Sequence, residues 1–240
     1  MNTLARIRIV LCQTSHPGNI GSAARAMKTM GLSELHLVRP HKFPHADANA
    51  MSAGATDILD GARVCDSLEQ ALAGCTLVIG LTARRRELSH RAASPRETAA
   101  LCIAAEQDVA LVFGNETSGL SNEELILCQH LVHIPANPDY SSLNLASAVQ
   151  IMAYELRMAL LGEPRQVEPA NPYKRIKPAT HDEIEGFYGH LEQTLVEVGY
   201  LDPGQPGRLM SRLRRLFTRA GLQQEEVNIL RGILKAVHEK

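Results

Sequence analysis

Six short, near-continuous apolar runs separated by helix-like stretches constrain this chain more than any other feature of its sequence. The runs fall at 7–12, 34–38, 62–64, 76–80, 109–113 and 131–134, with helical stretches at 20–30, 48–53, 67–73, 95–105 and 122–127 between them. A strand that buries one face alternates apolar and polar residues, whereas a strand buried on both faces reads as unbroken Val, Ile and Leu. The pattern predicts an α/β layer fold built on a parallel sheet. Ser67 and Gln70 have the spacing of a capping box ahead of their short helix. A longer helix should follow at 143–161, where Leu145, Val149, Met152, Leu156 and Leu160 recur at helical spacing.

The texture then changes. Residues 163–179 hold Pro164, Pro169, Pro172 and Pro178 without apolar periodicity and read as a linker. The remainder reads as wholly helical, at 182–198, 207–220 and 223–237. Thr180 or His181 is placed to open the first of these helices, and Gly221 to close the second. The expected organisation is therefore an α/β domain over 1–162, a linker over 163–179 and a small helical extension over 180–240.

Cys12, Cys65, Cys75, Cys102 and Cys128 form no C-x-x-C pair and sit mostly in apolar segments, as reduced thiols of a cytoplasmic core would. His41 and His45 are four apart, but Pro44 between them opposes the helix that would align them on a metal, and no metal is expected. The start of the chain lacks a signal-peptide pattern, and no apolar run nears the ~18 residues of a membrane span. The expected location is cytoplasmic. A net charge of -1 gives no global attraction to nucleic acid, so any such contact must come from local clusters.

Three segments place polar residues, in two of them with glycines, at strand ends, where parallel α/β sheets bind ligands. Asn19-Ile20-Gly21-Ser22-Ala23-Ala24-Arg25 follows the first strand. Alone it is a tight turn and a helix start, with small residues for close packing. It has neither G-x-G-x-x-G nor a Walker lysine. Arg25 lies in that helix, where its side chain can reach back toward the strand ends or lie on the solvated face. Phe113-Gly114-Asn115-Glu116-Thr117-Ser118-Gly119-Leu120 leaves the fifth strand. It reads either as a β-to-α turn with a capping carboxylate or as a cofactor wall in which Glu116 holds another polar group. Ile134 to Ala146 runs through a proline-containing loop to Ser141-Ser142-Leu143-Asn144. Serines there are ordinary caps that would also leave backbone N–H groups free for a ligand.

Together the three segments resemble the motifs of SPOUT methyltransferases. The order Asn-x-Gly-x-x-x-Arg, Phe-Gly-x-Glu-x-x-Gly-Leu, Ser-Leu-Asn looks like the branch that methylates ribose 2′-oxygens. The likeness covers about 6–161 and is strongest to enzymes acting on nucleotide 32 of the tRNA anticodon loop. Phe187-Tyr188-Gly189-His190-Leu191-Glu192, Arg214-Arg215-Leu216-Phe217 and Asn228-Ile229-Leu230-Arg231-Gly232 extend it into the tail. Asn115 and Thr117-Ser118 depart from the wider family's second motif.

The resemblance implies a trefoil knot near the second and third motifs, an obligate homodimer, S-adenosylmethionine as methyl donor and tRNA as substrate. It places the cofactor against Leu81, Thr82, Ala83, Gly114, Ile134, Ser141, Ser142, Leu143 and Asn144. It makes Arg25 the residue that activates the hydroxyl, with Asn19, Glu116 and Ser142 positioning Arg25 and the loops. A protonated guanidinium donates hydrogen bonds and accepts none, so Arg25 is expected to orient and stabilise the attacking oxygen rather than take its proton.

RNA contact is expected at Arg84, Arg85 and Arg86, beside the cofactor strand, against the plainer reading of a solvated loop. It is also expected at Arg208, Arg212, Arg215 and Arg219, which fall on one stripe of a helix. The tail then either clamps tRNA or stabilises the dimer. Two other readings compete: a catalytically silent RNA-binding protein of the same fold, opposed by Arg25, Glu116, Ser142 and Asn144, and a nucleotide-dependent oxidoreductase, opposed by the missing glycine fingerprint. Within the methyltransferases, another tRNA position or a ribosomal site is the alternative target.

Overall fold

In the computed structural model, residues 3–83, 93–162, 177–205 and 207–238 are described. The chain divides into two compact units, Met1–Arg165 and Gln166–Lys240.

The first unit is a six-stranded sheet. Its strands are β1 (Ile7–Cys12), β2 (Glu34–Val38), β3 (Arg63–Cys65), β4 (Leu77–Leu81), β5 (Val109–Phe113) and β6 (His130–Val132). All neighbours pair in parallel, in the order β3-β2-β1-β5-β4-β6. In register, Ile9 of β1 lies between Leu35 of β2 and Leu111 of β5. Successive side chains of one strand enter opposite layers. Ile9 and Leu11 join Leu111 and Phe113 in one core, while Val10 and Cys12 join Ala110 and Val112 in the other. This double burial is why the strands are apolar throughout. Each fully buried aliphatic side chain contributes about 1.5–3 kcal/mol.

The helices are α1 (Pro17–Met30), α2 (Ala46–Ser52), α3 (Thr56–Asp60), α4 (Leu68–Leu72), α5 (Pro95–Ala104), α6 (Asn122–Ile126) and α7 (Leu145–Leu161). The larger core layer takes side chains from α1, α2, α3, α5 and α7, and the smaller one from α4 and α6. Pro17 starts α1 three residues before the periodicity suggested, since a proline at the first turn lacks only an N–H that would be unpaired anyway. Asn144 caps α7 by accepting from the amides of Ala146 and Ser147, so that helix begins at Leu145 rather than Leu143. A single-turn helix, α3, escaped the sequence reading. It buries only Ile58 and Leu59, too few positions to display a period. The Ser67 hydroxyl accepts from the Gln70 amide as expected, but the Gln70 side chain accepts from Asp66 N instead of closing the box on Ser67.

The second unit holds α8 (His181–Glu197), α9 (Leu209–Ala220) and α10 (Gln224–His238). Thr180 and Glu183 form a reciprocal capping box at the start of α8, and Gly221, with φ of 65°, ends α9. Ala179, Phe187, Tyr188 and Val227 form the buried core, with Phe217 packed edge-on to Phe187 at 5.0 Å. Arg214 grips Glu185 through two bonds of 2.6 and 2.7 Å and lies 4.3 Å over the Tyr188 ring. Among the described residues, no helix is long and apolar enough to cross a membrane.

Candidate active site

β5, β4 and β6 are neighbours in the sheet, and their last residues, Phe113, Leu81 and Val132, reach one cavity of about 240 Å³. It lies at the carboxyl ends of parallel strands, the side on which such sheets bind ligands. The Thr82 amide donates to the Val132 carbonyl at 3.0 Å, holding the exits of β4 and β6 together. Eight of the nine residues expected to hold a cofactor line this cavity: Leu81, Thr82, Ala83, Gly114, Ile134, Ser141, Ser142 and Leu143. Asn144 does not line it. It stands at the α7 cap and faces the first segment instead.

The loop after β5 closes on itself. The Gly119 amide donates to the Asn115 carbonyl at 2.8 Å, and Gly119 has φ of 70°. A Cβ on Gly114 would lie 2.2 Å from the Gly119 carbonyl carbon and the Leu120 nitrogen. Gly114 is thus demanded by this self-contact. Gly21 in the first segment has a similar cause, because a Cβ there would meet the Ala48 carbonyl oxygen of α2 at 2.0 Å.

A relay of polar contacts joins the three segments. The Glu116 carboxylate accepts from Ser15 N at 2.9 Å, His16 N at 3.2 Å and the Asn19 side-chain amide at 2.9 Å. The Asn19 side-chain oxygen accepts from the Asn144 amide at 2.9 Å. Burial works to raise the Glu116 pKa, but the Ser15 amide, the Asn19 side chain and further backbone amides outweigh it and hold the carboxyl below its usual range. Glu116 is therefore an ionised anchor, spanning about a hundred residues of sequence.

Asn115 adds a second clasp that the sequence did not disclose. Its side-chain amide donates to the Gln13 carbonyl at 2.7 Å and to the Ser15 hydroxyl at 3.0 Å. Gln13 is a left-handed non-glycine, with φ of 49°, and its own amide donates to Val38 O. A conformation L side chains resist is thus fixed from both sides.

Arg25 is exposed on α1 and makes no hydrogen bond or ion pair among the described residues. Direct positioning of Arg25 by Asn19, Glu116 and Ser142 is not what these contacts show. Asn19 and Glu116 fix the first turn of the helix that carries it, and Ser142 lines the cavity. Ser141 and Ser142 have no hydrogen-bond partner among the described residues, which leaves two hydroxyls for a ligand. The wall residues missed by sequence, among them Phe113, Leu120, Val132 and Leu145, are two strand ends, a loop residue and a helix start. Only the strand order could have brought them together.

Arg208, Arg212, Arg215 and Arg219 are all exposed on or beside α9, whereas Arg214 turns inward to Glu185. Arg84, Arg85 and Arg86 lie outside the described residues. All five cysteines are buried free thiols, and no group of three metal-ligating side chains occurs among the described residues.

Residues 6–154 match the SpoU rRNA Methylase family, and residues 182–240 match the C-terminal domain of tRNA methyltransferase TrmJ. The chain is 55% identical to the tRNA (cytidine/uridine/adenosine-2′-O-)-methyltransferase TrmJ of Pseudomonas aeruginosa, over 96% of this chain and 93% of that one. It is 51% identical to the tRNA (cytidine/uridine-2′-O-)-methyltransferase TrmJ of Klebsiella pneumoniae, over 99% and 98%. Among solved structures, TrmJ from Z. mobilis superposes with a TM-score of 0.86 at 33% identity, covering 96% of this chain and 98% of that one.

Proposed function

The chain belongs to the SpoU methylase family, on its TrmJ branch, and on that premise we propose that it 2′-O-methylates the ribose of nucleotide 32 in the tRNA anticodon loop, with S-adenosylmethionine as donor. The observation that carries the proposal is the Asn144–Asn19–Glu116 relay, which joins the helix bearing Arg25 to two loops of a single strand-end cavity.

The cavity suits the donor. Leu81, Phe113, Ile134 and Leu143 offer apolar wall for a flat ring, while Ser141 and Ser142 offer hydroxyls that are unpaired among the described residues for polar ends. S-adenosylmethionine supplies a methyl group on a sulfonium, so the remaining task for the protein is to present the ribose oxygen. In this reading Arg25 does so by donating to the 2′-oxygen and a nearby phosphate. That fixes the line of attack and stabilises negative charge as it develops. The proton leaves to phosphate or water. Glu116, already charged and committed to three donors, organises the loop.

The proposal includes the family's trefoil knot, with the chain threaded near the second and third segments, and a homodimer whose catalytic site combines both subunits. Tyr154, Met158 and Leu161 are exposed large apolar residues at i, i+4 and i+7 of α7, a face suited to a second copy. The helical unit binds tRNA through the α9 arginine stripe. Buried reduced thiols and a tRNA substrate fit a cytoplasmic enzyme.

Arg25→Ala tests the mechanism. Turnover should fall by at least about 10²–10³-fold, while calorimetry finds unchanged affinity for S-adenosylmethionine. Near-normal turnover would remove Arg25 from the reaction.

A further inference from the structure

The loop from β6 to α7 is fastened to the cavity at both ends, through Ile134 at its start and Ser141 to Leu143 at its finish. Between these points its tip is an ordered turn. The Tyr140 amide donates to the Asn137 carbonyl at 3.0 Å, and the Asn137 side-chain oxygen accepts from Asp139 N at 3.1 Å. On that turn, one residue from the cavity wall, Tyr140 is 80% exposed, the highest value among the large apolar side chains of the described residues. Leu143, two residues beyond the wall's start, is itself 38% exposed.

An aromatic ring in water forfeits the burial that its apolar faces favour, and at 80% exposure this one keeps little of it. The reaction proposed above provides a cover. A ribose 2′-oxygen enters a concave site more readily when its nucleotide turns out of the loop's stack, and the base then loses its neighbours. A ring with a free face beside the cavity replaces them, tolerant of base identity because every base has a π-face.

We propose that Tyr140 is a stacking platform for the extruded target nucleobase, a subsite that positions the ribose by holding its base. The inference rests on the RNA-methylating reading. It predicts that the ring matters and the hydroxyl does not. Tyr140→Phe and Tyr140→Trp should keep kcat/KM for tRNA within about twofold. Tyr140→Ala and Tyr140→Leu should lose roughly 10- to 100-fold, with affinity for S-adenosylmethionine and oligomeric state unchanged. With 2-aminopurine at nucleotide 32 of a tRNA transcript, the Tyr and Phe forms should quench the unstacked base, and the Ala form should leave it bright.

Equal kcat/KM for the Ala and wild-type forms would overturn the inference, as would a Leu form as active as Phe or a Tyr140→Ala protein with altered oligomeric state. A wild-type protein that binds S-adenosylmethionine but methylates no RNA would instead bring down the underlying function, and the stacking role with it.

Discussion

Glu116 keeps its charge although burial opposes it, because three N–H donors converge on its two oxygens. A carboxylate whose folded pKa lies below the unfolded value lends stability that is complete above about 4.5 and is lost as pH falls through the folded value. The first-segment loop should therefore stay fastened across the neutral range and loosen only in acid. Glu116→Gln replaces one accepting oxygen with an amide NH2 group, itself a donor, that confronts donors already aimed at it. The variant should lose about 2–3 kcal/mol of stability in denaturant unfolding and more than tenfold in kcat. A variant that matches wild type in both would show that the carboxylate is ornamental. The glycines at this scale carry a different lesson. Gly21 and Gly114 belong to the signature segments, yet both are required by backbone approaching backbone.

At the scale of elements, the six strands were legible because the sheet is covered on both faces, which writes each strand as an unbroken apolar run. Long helices were legible through their period, and their ends shifted where a proline or an asparagine cap decided the first turn. The one-turn α3 was not legible. Eight cavity-wall positions followed from family resemblance, at strand ends and in the loop before α7. The Asn115 clasp on Gln13 did not, since it joins segments about a hundred residues apart and depends on a carbonyl exposed by a left-handed backbone.

The arginine stripe of α9 was readable because a helix places i, i+4, i+7 and i+11 together. The structure adds that Arg214, on the same helix but outside the stripe, is held by Glu185 and Tyr188. Replacing Arg208, Arg212, Arg215 and Arg219 with Gln should weaken tRNA binding and reduce the slope of log K against log salt by about 3, given ~0.7–0.9 per phosphate. It should leave methyl-donor affinity and oligomeric state alone. An unchanged salt slope would assign the tail to stabilising the dimer.

For the molecule as a whole, two units with separate cores divide the work. The sheet unit carries the cavity and the polar relay, and the helical unit carries an exposed basic stripe with a formal net charge near zero for the whole chain. That near-neutral total places nucleic-acid attraction in local clusters, where orientation as well as affinity can be set. The central claim joins the two units in one reaction on one nucleotide, and it is tested most directly by mapping the product. Purified protein, S-adenosylmethionine and tRNA transcripts with nucleotide 32 varied should yield a 2′-O-methyl group at that ribose alone, located by mass spectrometry of nuclease fragments. A methyl group at another nucleotide, on a base, or nowhere in the tRNA would contradict the account.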